Sequence, residues 1–379
     1  MPDMSYVVIG GGLAGLSAAL TLQEAGESVE LYEASDDLGG RVRSDYIDGY
    51  ILDRGFQLIN AGYSELKRLK VIGEIDFCKA DRTVDVVTAF GVTSIGDPRL
   101  HPIQGLTSPL GSLKEKLSLL TFLGAKPNGN ISLRDALLAS GAGDFYENLI
   151  RPFLTGVFLV DPSRVDSAYG REIIKSFVVG DSGLPQAGVG ALTQALGARV
   201  ENVHLDAKIE SLEEFKGKKV IVATSAANAA QLLGEKNSHP YLSSYTWYHS
   251  IPAGVISSRR LRVTSAQSPI VNSIAISNLI SQYAPSDRTL ISTTTLTSLS
   301  EKAIAEEISK FWEIAPSELQ LVKRYEINDS LPLFAPGHSG ARSAKVGENL
   351  FIAGDYLSAG SQNGALISGR LAAVEALTR

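Results

Sequence analysis

Six residues, Gly10-Gly11-Gly12-Leu13-Ala14-Gly15, constrain this chain most, because they satisfy G-x-G-x-x-G between two recognisable elements. Ahead of them Tyr6-Val7-Val8-Ile9 is a short apolar run, and behind them Leu13, Leu16 and Leu20 recur at helical spacing up to Gly26. Ser28-Val29-Glu30-Leu31-Tyr32 then restores an extended pattern that stops at Glu33. Strand, tight turn, helix and strand make a βαβ unit. Its first glycine permits the turn, the second lets a phosphate approach the backbone, and the third packs helix on strand. Unfilled N–H groups at the helix start, together with the helix dipole, favour an anion there without help from an arginine. Glu33 is placed eighteen residues past Gly15 to accept both hydroxyls of a ribose, and its charge would repel a 2′-phosphate. The fingerprint predicts a dinucleotide site for FAD or NAD rather than NADP.

Several partner classes are excluded by the rest of the composition. A formal net charge of -6, with lysine and arginine scattered along the chain, argues against nucleic acid. The single cysteine, Cys78, cannot form an intramolecular disulfide or a multi-thiolate metal site, so no metal is expected and a reducing cytoplasm fits. No basic residue precedes Gly10, which leaves no room for a signal peptide. No apolar run approaches the ~18 residues of a membrane span; the best, Leu117 to Leu123, is broken by Ser118 and Thr121. Peripheral membrane contact stays open. Leu106 to Leu123 has the pattern of an amphipathic surface helix on which Leu110, Leu113 and Leu117 would line a membrane-facing entrance, core packing being the plainer alternative.

At 379 residues the chain is long enough for two domains. From about Asp76 to Gln186 it carries Pro98, Pro102, Pro109, Pro127, Pro152 and Pro162 among amphipathic segments such as Leu113 to Leu123, with no βαβ period. Lys218 to Thr224 reads as a buried strand, preceded by the β-like Val203 to Leu212. Between Tyr241 and Lys323 short Thr, Ser and Ile-rich segments alternate with loops, and Glu301 to Trp312 is an amphipathic helix. Asn349 to Ala353 reads as a last strand and Ala365 to Leu377 as a last helix. The predicted fold is α/β plus α+β. A Rossmann-like domain is assembled from residues 1–75, 185–240 and 325–379, and a second domain of mixed sheet and helices from 76–184 and 241–324.

Four blocks of the chain resemble the flavin amine oxidase superfamily, which includes protoporphyrinogen oxidases and phytoene desaturases. The first runs from Val7 through Glu33 and Ala34 into Leu38-Gly39-Gly40-Arg41-Val42, similar to a Gly-Gly-Arg turn that wraps FAD phosphates. The second, Leu52-Asp53-Arg54-Gly55-Phe56-Gln57, is similar to the stretch passing close to the flavin ring. The third, Leu205 to Ile209 with Val220 to Thr224 after it and the Pro185 to Leu196 lead-in before it, resembles the segment whose backbone, here at Ile209, meets adenine. The fourth joins Phe351-Ile352-Ala353-Gly354-Asp355 to Gly360-Ser361-Gln362-Asn363-Gly364-Ala365. In the family the Gly-Asp carboxylate meets the ribityl chain and the following helix aims its N-terminus at the flavin, where it would stabilise the charge gathered on reduction. The resemblance implies FAD, held non-covalently because no cysteine lies in the C-terminal block. Its contacts would be Gly10, Gly12, Leu13, Ala14, Gly15, Glu33, Ala34, Gly40, Arg41, Gly55, Phe56, Gln57, Ile209, Gly354, Asp355, Gly364 and Ala365.

The function implied is an FAD-dependent oxidase or dehydrogenase that removes a hydride equivalent from a small to medium, largely apolar substrate, as porphyrinogen oxidases and phytoene desaturases do. Neither Gly188-Val189-Gly190 nor Gly141-Ala142-Gly143 makes a second dinucleotide loop, so oxygen or a quinone is the expected acceptor. Amine oxidases of the superfamily place a lysine near the flavin, yet none lies between Lys236 and Lys302, an interval holding His249, Arg259, Arg260, Arg262 and Arg288. A flavin amine oxidase is the alternative, and an FAD-binding isomerase or assembly protein without net turnover is a further one. Leu331-Pro332 and Gly337-His338 resemble a pair carried by protoporphyrinogen oxidases. No catalytic residue is assigned; His338 is a candidate acid or base, and Tyr325 and Gln57 are candidates for the cavity wall. Arg259, Arg260 and Arg262 would meet substrate carboxylates, unless strand alternation sends them to solvent. Oligomeric state does not follow from these residues.

Overall fold

The computed structural model of the chain describes residues 6–97, 100–101, 107–236, 239–338 and 343–378. Its first layer is a five-stranded sheet in the order Val203–His204, Val29–Tyr32, Tyr6–Ile9, Lys219–Val222, Leu350–Ile352. Every pairing in it is parallel. The two central strands are buried at every residue, as strands covered on both faces must be. The glycine-loop helix, Leu13–Glu24, and the C-terminal helix, Gln362–Leu377, pack on one another. Ser17 Oγ donates to the Leu366 carbonyl at 2.7 Å across that contact. The last helix begins three residues before the expected Ala365 because Ser361 caps it, its Oγ accepting from the Gly364 N–H at 3.0 Å.

The second layer is a seven-stranded sheet in the order Gln320–Pro332, Tyr241–Pro252, Arg288–Thr295, Ile270–Ala275, Leu261–Thr264, Thr83–Thr88, Gly91–Gly96. The helix Glu301–Trp312, capped by Ser300, covers one face with Ile304, Ile308, Phe311 and Trp312. Toward the other face lie the helices Arg151–Phe158 and Ser167–Val179, sharing a cluster with Val86 and Val263.

One expectation needs correction. The β-like stretch Val203 to Leu212 is a strand only at Val203–His204, because Asp206 turns left-handed at φ 52°. The chain then runs beside Glu33, Asp206 N–H donating to Ser35 O and Ala207 N–H to Glu33 O. The boundary expected between residues 324 and 325 falls inside the strand Gln320–Pro332, which pairs along Tyr241–Pro252 to its end. The boundaries at 75/76 and 184/185 are straddled by a small sheet of Ile59–Asn60, Ser182–Pro185 and Phe77–Lys79. A single cluster runs from Tyr6, Val8 and Leu16 to Tyr248, Ile274 and Leu290, so the two layers share core.

A capping box of Ser112 and Glu115 starts the helix Leu113–Gly124. Leu110 is buried while Leu113, Leu117 and Leu120 are exposed on it; Leu106, Pro98 and Pro102 lie outside the described residues. Among the described residues no helix is long and apolar enough to cross a membrane.

Candidate active site

A cavity of about 820 Å³ opens over the carboxyl ends of the parallel strands and continues to the seven-stranded sheet, a size in the range of cofactor sites, ~300–1,000 Å³. One half is built by the glycine loop and the segments folded around it. Gly10, at φ +106°, makes the turn, and Gly12 caps the helix without a side-chain hydrogen bond or a first-turn acid. Gly12, Leu13 and Ala14 line the cavity, presenting the helix start to it. The Gly39 N–H donates to the Gly11 carbonyl at 2.9 Å, which holds the turn carrying Gly40 and Arg41 against the loop. Glu33 is fixed by three donors: the Gly11 N–H at 2.7 Å, the Ser35 N–H at 2.9 Å and the Ser35 hydroxyl at 2.7 Å.

From the other end of the chain, Gly354, Asp355 and Ala365 reach the same cavity. Asp355 is buried and ion-paired to Arg41 at 2.7 Å, and Arg41 also donates to the Ser330 carbonyl. Gly55, Phe56 and Gln57 pass along the wall, with Gln57 Nε2 donating to the Arg41 carbonyl at 2.7 Å and Gln57 Oε1 accepting from Gln362. Ile209 lines the wall, and neither its N–H nor its C=O has a partner among the described residues. An unpaired helix start, a carboxylate at the ribose position and a free backbone edge at Ile209 fit the parts of FAD in order.

Behind this half sits a group that the sequence reading did not single out. Asp53 is 1% exposed and accepts from Ser44 Oγ at 2.6 Å, the Val189 N–H at 2.9 Å and the Tyr283 hydroxyl at 3.0 Å. Tyr248 donates to its backbone carbonyl. Burial pushes the Asp53 carboxyl up to about 6 despite those donors. It anchors the Gly55 to Gln57 segment to both layers.

Other predicted residues lie elsewhere. Gly15 and Gly364 stand behind the wall: a Cβ on Gly15 would overlap the Gly10 carbonyl oxygen, and one on Gly364 the Ala359 carbonyl oxygen. Their role is close packing. Tyr325 shares a face with Thr246, its cross-strand partner, but its ring packs edge-on against Tyr248 and its hydroxyl donates to Asp45 at 2.6 Å. Burial and that carboxylate push its phenol well above its ordinary value. His338 follows Gly337 in a turn, its ring edge-on to Phe334 at 4.5 Å, and does not line the cavity. Arg260 and Arg262 alternate with the cavity-lining Leu261 and Val263, so they point away: Arg260 toward Asp81 and Asp85, Arg262 onto the Trp312 ring at 4.1 Å. Arg259 is exposed. His249 is buried on the Trp247 side of its strand, and burial pushes it down to about 4. None of these reads a substrate from the cavity wall.

The second half of the cavity was not legible beforehand. Tyr63, Phe153, Val157, Leu159, Tyr169, Ile173, Phe177, Leu261, Val263, Ile327 and Leu331 give it an apolar and aromatic wall. Its polar side chains are Ser244, Thr246, Asn272, Thr294 and Ser330. Burial raises the Tyr63 and Tyr169 phenols above their ordinary value, the mark of a dry surround. Of the charged lining residues Glu33, Arg41, Arg54, Lys208, Glu210 and Asp355, none comes from the helices Arg151–Phe158 and Ser167–Val179 or from the seven-stranded sheet that wall the second half. Neither half is lined by a lysine from the interval after Lys236.

A model of the family described as flavin containing amine oxidoreductase matches residues 13–377. Coproporphyrinogen III oxidase of Staphylococcus aureus is 28% identical over 177 residues, 41% of this chain and 37% of that protein. Hydroxysqualene dehydroxylase of Zymomonas mobilis is 33% identical over 178 residues, 42% of this chain and 41% of that protein. The matches span less than half of either relative. An oxidoreductase from Methanosarcina mazei superposes with a TM-score of 0.77 at 16% identity, covering 99% of this chain and 100% of that one. Putrescine oxidase bound to putrescine does so with a TM-score of 0.70 at 16% identity, over 99% of both chains. Identities this low establish the fold alone.

Proposed function

The chain belongs to the flavin-containing amine oxidoreductase family and is an FAD-dependent oxidoreductase, and on that premise we propose that it oxidises an uncharged, largely apolar small to medium molecule. The observation that carries this reading is the distribution of charge along the cavity: among the described residues, no charged side chain in the lining comes from the helices Arg151–Phe158 and Ser167–Val179 or from the seven-stranded sheet. An ammonium or a carboxylate in the other half would be desolvated with no opposite charge beside it. Amine and propionate-bearing substrates are thereby disfavoured, and a hydrocarbon skeleton is favoured.

FAD would lie with adenine at Ile209, ribose at Glu33, pyrophosphate over Gly12 to Ala14 and Gly40 to Arg41, and the ribityl chain at Asp355. With neither cysteine nor histidine in the lining, the binding is read as non-covalent. When bound, FAD supplies the electron sink: a substrate C–H bond gives up its electron pair with hydrogen, a second hydrogen leaves as a proton, and oxygen or a quinone takes the electrons on. Tyr169, Phe153 and Phe177 exclude water from the substrate, and Gln57, clamped between Arg41 and Gln362, keeps the wall beside it in place. Rapid anaerobic mixing of the yellow protein with isoprenoid hydrocarbons and alcohols, porphyrinogens, monoamines and polyamines, following loss of flavin absorbance, tests the reading. Bleaching by apolar compounds supports it. Bleaching by amines or porphyrinogens alone overturns it, and a flavin bleached by none of them, yet catalysing rearrangement when reduced, would establish the isomerase reading instead.

A further inference from the structure

Thr246, Thr294 and Asn272 stand side by side on three adjacent strands of the seven-stranded sheet, Thr246 opposite Thr294 and Thr294 opposite Asn272. All three line the apolar half of the cavity, and their exposures are 0%, 4% and 6%. The hydroxyls of Thr246 and Thr294 have no hydrogen-bond partner, and the Asn272 amide has none among the described residues. Buried polar side chains are ordinarily paired, so three unpaired neighbours in one row require an explanation.

The opposite face of the same strands shows that the sheet pairs its hydroxyls where the protein supplies a partner. There Ser273 Oγ accepts from Trp312 Nε1 at 2.8 Å and meets Thr293 Oγ1 at 2.8 Å, and Thr295 Oγ1 accepts from Trp247 Nε1 at 3.1 Å. On the cavity face the missing partner must come from the occupant. Room for it is kept by Gly156 inside the helix Arg151–Phe158, where a Cβ would come to 2.8 Å from Asn272 Nδ2. Glycine weakens a helix interior, so its presence there is a cost set against that space.

Resting on the apolar-substrate reading, we propose that Thr246, Thr294 and Asn272 form a polar row that receives one uncharged oxygen substituent, a hydroxyl or carbonyl, of an otherwise apolar substrate. A threonine hydroxyl and an asparagine amide each donate and accept, so the row serves either oxygen. Among the described residues no Asp, Glu, Lys, Arg or His on the helices and sheet strands walling that half lines the cavity, so the row is not set beside a charge that would balance an ionic group. The enzyme would distinguish an oxygenated substrate from its parent hydrocarbon, since a site built for a hydroxyl loses its pairing when the analogue lacks it.

The test is binding to the holoenzyme, read from the flavin difference spectrum, of farnesene, farnesol, farnesal and farnesylamine. Farnesol or farnesal is expected to bind roughly tenfold more tightly than farnesene, two good hydrogen bonds sufficing for that ratio. Thr294→Val, nearly isosteric, and Asn272→Leu should each cut the preference by roughly fivefold while farnesene binds within about twofold of its original strength. Thr294→Ser, which keeps the hydroxyl, should retain the preference, and the unchanged farnesene binding of Asn272→Leu shows that the leucine variant is folded. Equal binding of hydrocarbon and alcohol, or a preference that survives Thr294→Val and Asn272→Leu, overturns the polar row and leaves the apolar reading intact. Binding of farnesylamine alone, or of none of the four, overturns both.

Discussion

The two halves of the cavity are built by opposite means. In the nucleotide half the surfaces are backbone: a Cβ on Gly15 would overlap the Gly10 carbonyl oxygen, and one on Gly369 the Ala14 carbonyl oxygen. Neither oxygen can retreat, because each belongs to an element packed on its neighbour. In the substrate half the corresponding crowding, at Gly156, is against the end of the Asn272 side chain, which can rotate away. Charge divides the same way, with Glu33, Arg41 and Asp355 on one side and unpaired neutral groups on the other. A site for a fixed cofactor can be moulded in main chain, whereas a substrate pocket made of side chains can be recut without disturbing the fold.

Substitutions in the nucleotide half should break the molecule, and the largest effect is expected at the contact between the first and last helices. Gly369→Val should cost about 4 kcal/mol or more and leave little folded, flavin-bearing protein, as thermal unfolding and flavin content would register. A variant that stays yellow with an unchanged Tm would show that the helices can separate there. Glu33→Arg removes the acceptor of the Gly11 N–H and both Ser35 donors as well as the ribose partner. FAD affinity should fall by about 3 kcal/mol, over a hundredfold, in an equilibrium dialysis measurement; full retention of colour would contradict the position assigned to Glu33.

Asp53 joins the two halves, and its effect carries a pH signature. Its carboxyl binds a proton more tightly folded, at about 6, than unfolded, near 3.8. Stability linked to it is therefore greatest below about pH 4 and is lost as pH rises through 6, up to about 3 kcal/mol. Asp53→Asn keeps an acceptor for Ser44 and Val189 and turns its amide toward the Tyr283 hydroxyl, so it should be more stable than the parent at pH 8 and lose that advantage at pH 4. Parallel denaturant curves for the two proteins across that range would sink the assignment.

The substrate half should tolerate change. Gly156→Ala should alter stability by no more than about 1 kcal/mol while displacing the Asn272 amide. A loss like that of Gly369→Val would erase the contrast between the halves. The smallest effects are expected from Tyr325→Phe and His338→Ala, whose side chains contact Asp45 and Phe334 rather than the cavity. Their rates of flavin bleaching should stay within about twofold of the parent. A large loss in either would restore it as a catalytic candidate.

The division between backbone and side chain also explains what could be read from the sequence. Gly10 and Gly40 stood out because their left-handed backbone, at φ +106° and +57°, favours glycine, whereas Gly12, Glu33, Arg41 and Asp355 stood out by motif spacing and by resemblance to the family. The strand expected over Val203 to Leu212 was too long because a left-handed residue at Asp206 leaves no mark in hydrophobic pattern. For Arg260 and Arg262 the sequence left both substrate carboxylates and solvent open, and alternation turns them away from the cavity, while Tyr325, a candidate for the cavity wall, packs its ring on Tyr248. Thr246, Asn272 and Thr294 are ordinary β-strand residues, and only strand register sets them in a row.

By itself the sequence determined the βαβ start and the dinucleotide fingerprint, which depend on local backbone requirements, and the distant glycine-rich segment pointed to FAD through its resemblance to the family. The tertiary structure decided which residues face the substrate and which of their hydrogen bonds go unpaired. That difference is physical: a glycine turn is specified by its own few residues, whereas the polarity of a pocket wall depends on which faces of remote strands and helices are brought together.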